Sequence, residues 1–161
     1  MVSLIVHALL GLTVIGFIVG SNPQIFRRAT TPALSKLECV YYIVGIASVA
    51  LGWYFNVRFV LQYSGGGANP IWGPGSWADY IRQMFVNSAA SSASQDYTFG
   101  NVILLPLWTI VDGRRRGVRR PWLYFVSSLF TSFAFAWAFY LATIERQRRL
   151  AGSPQLEGTP A

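Results

Sequence analysis

The chain has 161 residues, enough for one domain, and 53% of them are hydrophobic while only 12% carry a charge. That apolar share and a mean hydropathy of +0.39 exceed what an ordinary soluble domain carries, so the surplus calls for an apolar solvent. The net charge of +7 is not arranged as a basic face interleaved with aromatic rings, which argues against nucleic acid; the cations sit at the ends of apolar runs, where lipid headgroups meet them. The one cysteine, Cys39, excludes an internal disulfide and a cysteine metal cage, and reads as a small buried hydrophobe.

A bilayer core about 30 Å thick takes about 20 helical residues to cross. Residues 1–20 meet that test with His7 as their sole ionisable side chain. A secretory signal is the alternative reading, but a basic leading region and an alanine-x-alanine cleavage site are both missing, so the segment is expected to stay. A second span covers residues 39–61. Small residues spaced for close helix approach occur at Gly16 and Gly20, at Ser48 and Gly52, and at Ser128, Ser132 and Ala136.

The connection that follows is long. "SGGGANPIWGPG" is turn chemistry, and "SWADYIRQMFV" then starts a helix expected over residues 76–87, with Ser76 and Asp79 as a capping pair. Trp77, Tyr80, Ile81, Met84 and Phe85 share one face, and Asp79, Arg82 and Gln83 the other. This helix either lies in the membrane interface, apolar side down, or packs on the loops of the bundle. "NSAASSAS" reads as a flexible linker.

The third span, residues 97–111, is short and holds Gly100, Asn101 and Pro106; the fourth covers residues 121–144 and is rich in aromatic rings. Those rings either line a groove for an apolar tail or fill helix contacts. The fold class is therefore all-α: an integral membrane four-helix bundle forming a single domain over residues 1–149, with one short interfacial amphipathic helix between helices 2 and 3. Residues 150–161 are expected to be a disordered tail.

Four spans would place Arg27, Arg28 and Lys36 on the same side as Arg114, Arg115, Arg116, Arg119 and Arg120, and leave Arg58, Arg82, Arg146, Arg148 and Arg149 opposite. Retention of positive charge in the cytoplasm then puts the arginine turn inside the cell membrane and both termini outside. The tail arginines run against that assignment.

Candidate chemistry is sparse. Asn56, Arg58, Asp96 and Asn101 form a candidate polar pocket near the outer ends of helices 2 and 3; the competing reading of Arg58 is a cation reaching for the interface. Glu38 and Asp112 sit beside cations and are expected to make local ion pairs. His7 is either a ligand or proton carrier or an interfacial side chain. The sequence contains no phosphate-binding glycine loop, no nucleophile, base and acid set, and no metal-ligand spacing, so it names no catalytic residue and requires no cofactor.

From Gln83 onward the order of residues resembles a family of small bacterial membrane proteins, Domain of Unknown Function 2834. Asp112, Gly113, Arg114, Arg115, Gly117, Arg119, Arg120, Pro121 and Trp122 carry the likeness in "DGRRRGVRRPW", and an aromatic helix closing on "ER" follows. The third span departs from it at Asn101 and Pro106. The resemblance implies membrane residence and brings no catalytic residue. Three functions remain: a non-enzymatic accessory or assembly subunit whose partners are membrane lipids and other membrane subunits; a membrane enzyme or carrier for an apolar lipid such as an isoprenoid or carotenoid; and a small transporter. The third lacks an intramembrane acid to couple ions.

Overall fold

A computed structural model describes residues 2–66 and 71–152, and among them there is no strand. Helix α1 is Val2–Ser21, α2 is Pro23–Phe26 and α3 is Lys36–Tyr63. Two of these, α1 and α3, are long and apolar enough to cross a membrane, with mean hydropathies of 2.5 and 1.5. Only 17% and 11% of their apolar windows are buried, so they are not packed as the core helix of a soluble protein is.

The third rod is continuous from residue 88 to 115. It comprises α5 (Ser88–Thr98), a π-helical stretch (Phe99–Leu104) and α6 (Leu105–Arg115). "NSAASSAS", expected to be a flexible linker, is instead the first turns of this helix. Asn87 caps it by accepting from Ala90 N–H, and the alanines and serines that follow are small enough to stay helical. The π stretch has a cause in Pro106, which has no N–H to give to the turn below it. The backbone widens there, and Leu105 N–H reaches the carbonyl of Gly100.

The fourth span differs most from expectation. Residues 121–144 do not form one crossing helix: α7 (Leu123–Ser128) stops, the chain turns, and α8 (Phe133–Gly152) runs back alongside it. The turn lacks glycine and proline and is built by hydroxyls. Ser127, Ser128 and Thr131 donate to the carbonyls of Tyr124, Phe125 and Ser127, each at 2.7 Å, while Ser132 accepts from Phe135 N–H at 3.0 Å and so caps α8. Tyr124 donates to Thr143 Oγ1 at 2.8 Å and stacks edge-on against Tyr140, which makes the two arms an antiparallel hairpin. From Pro121 to the turn an arm rises only about 15 Å, half a bilayer core.

Because α8 returns, the C-terminal end of the described chain lies beside the arginine turn and not opposite it. Gln147 donates to Arg116 O at 2.5 Å and Tyr140 to Asp112 Oδ2 at 2.7 Å. The expectation that both termini share a side is thereby corrected, and the tail arginines join the other cations. Of the thirteen Lys and Arg, all but Arg58 and Arg82 gather at this one end. The helix continues through Gly152; the rest of the expected tail, 153–161, lies outside the described residues.

The hairpin is the centre of the packing, with α1 and the third rod against α7 and α3 against α8. Its core joins Tyr124, Phe139 and Tyr140 to Ile18 and Ile25. Close approach happens at glycines other than the expected pairs. A Cβ on Gly11 would meet Phe130 O at 3.3 Å, and one on Gly45 would meet Phe135 Cδ2 at 3.2 Å. A Cβ on Gly16, Gly20 or Gly52 would meet nothing from a neighbouring element within 4 Å. Ser48 and Ser132 do meet, their hydroxyls 2.9 Å apart.

Candidate functional site

The arginine end is a lattice of polar contacts. Asn22, fully buried, donates to the carbonyls of Ile18 and Arg119 at 2.9 and 3.1 Å and accepts from Arg119 N–H at 2.7 Å, so a single amide pairs with the turn as a neighbouring strand would. That clamp holds a turn in which Arg120 itself adopts a left-handed φ of 54°. Where Gly113 passes Pro121, a Cβ would lie 2.6 Å from the ring. Asp112 binds Arg116 through both oxygens at 2.9 and 2.8 Å, the local pair expected of it. Glu38 is also paired, but with α8: it completes a capping box with Ser35 and faces Arg149 and, at 3.6 Å, Arg146. Arg146 in turn donates to the carbonyls of Ile25, Ala33 and Arg28. Arg114, Arg115, Arg119 and Arg120 have exposed side chains, as cations facing headgroups would.

The opposite half of the bundle is built differently. The hairpin fills the space between the long helices only up to its turn, and beyond it a half-open cavity of about 620 Å³ remains. Its floor is the hairpin turn, residues 128–133. Its walls are the first turns of α1 with Ser3, Leu4 and His7; the second half of α3 with Gly52, Trp53 and Asn56; and the third rod with Tyr97, Asn101 and Val102. The roof is α4 (Trp77–Gln83) and the residues after it.

Of the expected face of the amphipathic helix, Trp77, Tyr80, Ile81, Met84 and Phe85 all turn to this cavity, although α4 itself ends at Gln83 and Met84 and Phe85 follow in turns. The capping pair forms as expected. Ser76 accepts from Asp79 N–H, and the Asp79 carboxylate reaches back to Gly75 N–H at 3.0 Å and across to Arg82 at 2.7 Å. Gly75 N–H and the Arg82 guanidinium hold the Asp79 carboxyl below the usual carboxylate range. The roof is pinned to α3 by Tyr80, edge-on to Phe59 at 5.4 Å, and by Gly75, where a Cβ would fall 2.7 Å from the Ser64 backbone.

The four candidates for a polar pocket divide. Asn56 and Asn101 both line the cavity. Arg58 and Asp96 do not: Arg58 is exposed and folds onto its own helix, bonding Tyr54 Oη at 3.2 Å, and Asp96 is exposed on α5. Asn101 is 3% exposed; its amide nitrogen donates to Tyr97 Oη at 3.0 Å and its oxygen has no partner among the described residues. The π stretch widens the backbone at this residue, and π turns recur at functional sites.

His7, weighed as a ligand or as an interfacial side chain, is a wall residue. Its Nδ1 lies 2.7 Å from Ser3 O, a carbonyl to which it can only donate. Its ring lies 5.9 Å from that of Phe130 at the hairpin turn. The hairpin turn itself was missed in the sequence. The serine and threonine cluster "SSLFTS" was its signal, and it was masked by the unbroken apolar run around it.

The aromatic residues expected either to line a groove or to fill contacts do both. Phe135, Phe139 and Tyr140 pack in the hairpin and against α3, whereas Phe125, Phe130 and Phe133 face the cavity. Among the described residues, no three His, Cys, Asp or Glu side chains group as a metal site. Neither the curated proteins nor the solved structures contain a match to this chain. A family model described as a protein of unknown function, DUF2834, matches residues 40–146, and the chain belongs to that family.

Proposed function

We propose that this is an integral membrane protein of three crossings and one re-entrant hairpin, and that its half-bundle cavity holds an apolar lipid. The single observation that carries the reading is the cavity itself. It is large enough for a small-molecule ligand, lined with rings and, among the described residues, free of Lys, Arg, Asp and Glu. A space of that composition is poorly suited to water and well suited to hydrocarbon. The gathering of cations at the other end supports a cytoplasmic arginine turn and C-terminal helix end, with the N-terminal end of α1 and the roof outside. The uncharged lining counts against a transporter coupled to ions. Binding without turnover suits the chain best, because no acid and base pair lines the cavity among the described residues.

A second reading, an accessory subunit of a larger membrane complex, draws on α3, whose outward Ile43, Leu51 and Phe55 are each more than 60% exposed. The two readings are compatible, since a bound lipid and a docked partner use different faces.

The test is a lipid inventory. Protein extracted in mild detergent is expected to retain an apolar lipid, identified by mass spectrometry. Gly52 lines the cavity with open space beside it, so Gly52→Phe puts a ring into the cavity and is expected to expel that lipid, losing only the stability that the bound lipid supplies. A Gly52→Phe protein that keeps the same lipid in the same amount sinks the reading.

A further inference from the structure

Resting on that lipid-binding reading, we infer the chemical class of the ligand: an uncharged apolar molecule carrying a hydroxyl, which bonds the amides of Asn56 and Asn101. Most polar side chains around the cavity are already engaged. Thr98 donates to Ser94 O, Ser128 and Thr131 to carbonyls of the hairpin turn, and Ser132 shares a bond with Ser48. Two amides are not. The Asn56 side chain makes no hydrogen bond among the described residues, and the Asn101 oxygen is buried and unpaired.

The Asn101 oxygen left so is costly, because it has given up water and gained nothing, whereas Asn56 is half-buried. Asn101 needs a donor at its oxygen, and its terminal torsion is soft enough to turn onto one. Asn56 offers both a donor and an acceptor. A hydroxyl supplies both roles from one atom. A carboxylate or phosphate headgroup, by contrast, brings a charge that no Lys or Arg in the lining neutralises. The cavity volume of about 620 Å³ holds on the order of 20 non-hydrogen atoms, if each takes the roughly 30 Å³ of a liquid water. That is the size of a long-chain or diterpenoid alcohol.

The experiment is native mass spectrometry of the delipidated full chain in detergent, titrated with geranylgeraniol, oleyl alcohol and the methyl ether of each. At least one alcohol is expected to bind about tenfold or more tightly than its own ether, which keeps the chain and removes the donor; the alcohol that binds tighter identifies the chain type. Asn101→Leu, which keeps the side-chain volume, is expected to erase that preference while leaving ether binding in place, and Asn56→Leu to reduce it. Ethers that bind as tightly as their alcohols, or an Asn101→Leu protein that still prefers the alcohol, overturn the inference and leave the cavity reading standing. A wild-type chain that binds none of the four probes overturns both.

Discussion

The two ends of this bundle follow opposite rules. At the arginine end buried polar groups find charged or hydrogen-bonding neighbours from distant parts of the chain: Asn22 with Arg119, Glu38 with Arg149, Tyr140 with Asp112; Glu38 Oε1 has no hydrogen bond among the described residues but lies 3.6 Å from Arg146 Nη1. At the other end the long helices have no hairpin between them, the roof is held by one ring contact and one glycine, and the Asn101 oxygen is unpaired. Charge and hydrogen bonds fix where the chain turns, and the space left by a hairpin that reaches only halfway becomes the cavity. Stability is thus concentrated at one end and the proposed ligand site lies at the other, as expected when ligand sites are drawn from the less tightly held parts of a fold.

The sharpest way to break this contrast is at Glu38. It is fully buried and faces two arginines that are themselves mostly covered, 13% and 16% exposed. Glu38→Ala leaves those cations without their carboxylate and is expected to cost about 3 kcal/mol. In a detergent melt that amounts to a drop of roughly 6–12 °C. Asn22→Ala follows at about 2 kcal/mol, since it strands the N–H and carbonyl of Arg119. An equal or larger loss from Gly52→Phe would erase the distinction between the two ends.

The smallest expected effect belongs to the roof. The Asp79 carboxyl is held low in the folded chain, so its contribution is complete above its ordinary range and is lost as pH falls through the lowered value, below about 4. Amide hydrogen exchange over residues 76–85 is expected to speed up in that acid range while the arginine end stays protected. Exchange that does not change with pH there would show that the Gly75 and Arg82 contacts do not hold the roof.

Local patterns were legible in the sequence at both ends, and the hairpin that joins the tail arginines to one end and leaves the cavity at the other was not. The pattern of Trp77, Tyr80, Ile81, Met84 and Phe85 gave a short helix with one apolar face, because helical periodicity is a local property, but not the cavity to which that face turns. Asn56 and Asn101 stood out for the same kind of reason, as polar residues within apolar runs. Arg58 and Asp96 were grouped with them on sequence position alone, and the helix faces separate them. The hairpin was hidden because hydropathy counts apolar residues and is blind to a helix break made by Ser127, Ser128, Thr131 and Ser132. That break, in turn, moved Arg146, Arg148 and Arg149 to the other end. Gly16 and Gly20 matched a packing motif, but which glycine meets a neighbour depends on where the hairpin turn lies, and that is Gly11.

The re-entrant hairpin is tested most directly by the side from which its end can be reached. In a Cys39→Ser background, Arg115→Cys in the arginine turn, Arg148→Cys near the end of α8 and Val86→Cys beyond the roof each place one thiol at an exposed position. With a membrane-impermeant maleimide on sealed, oriented vesicles, Arg115→Cys and Arg148→Cys are expected to label from one side and Val86→Cys from the other. Labelling of Arg148→Cys together with Val86→Cys would mean that the last helix crosses completely, and would contradict the account.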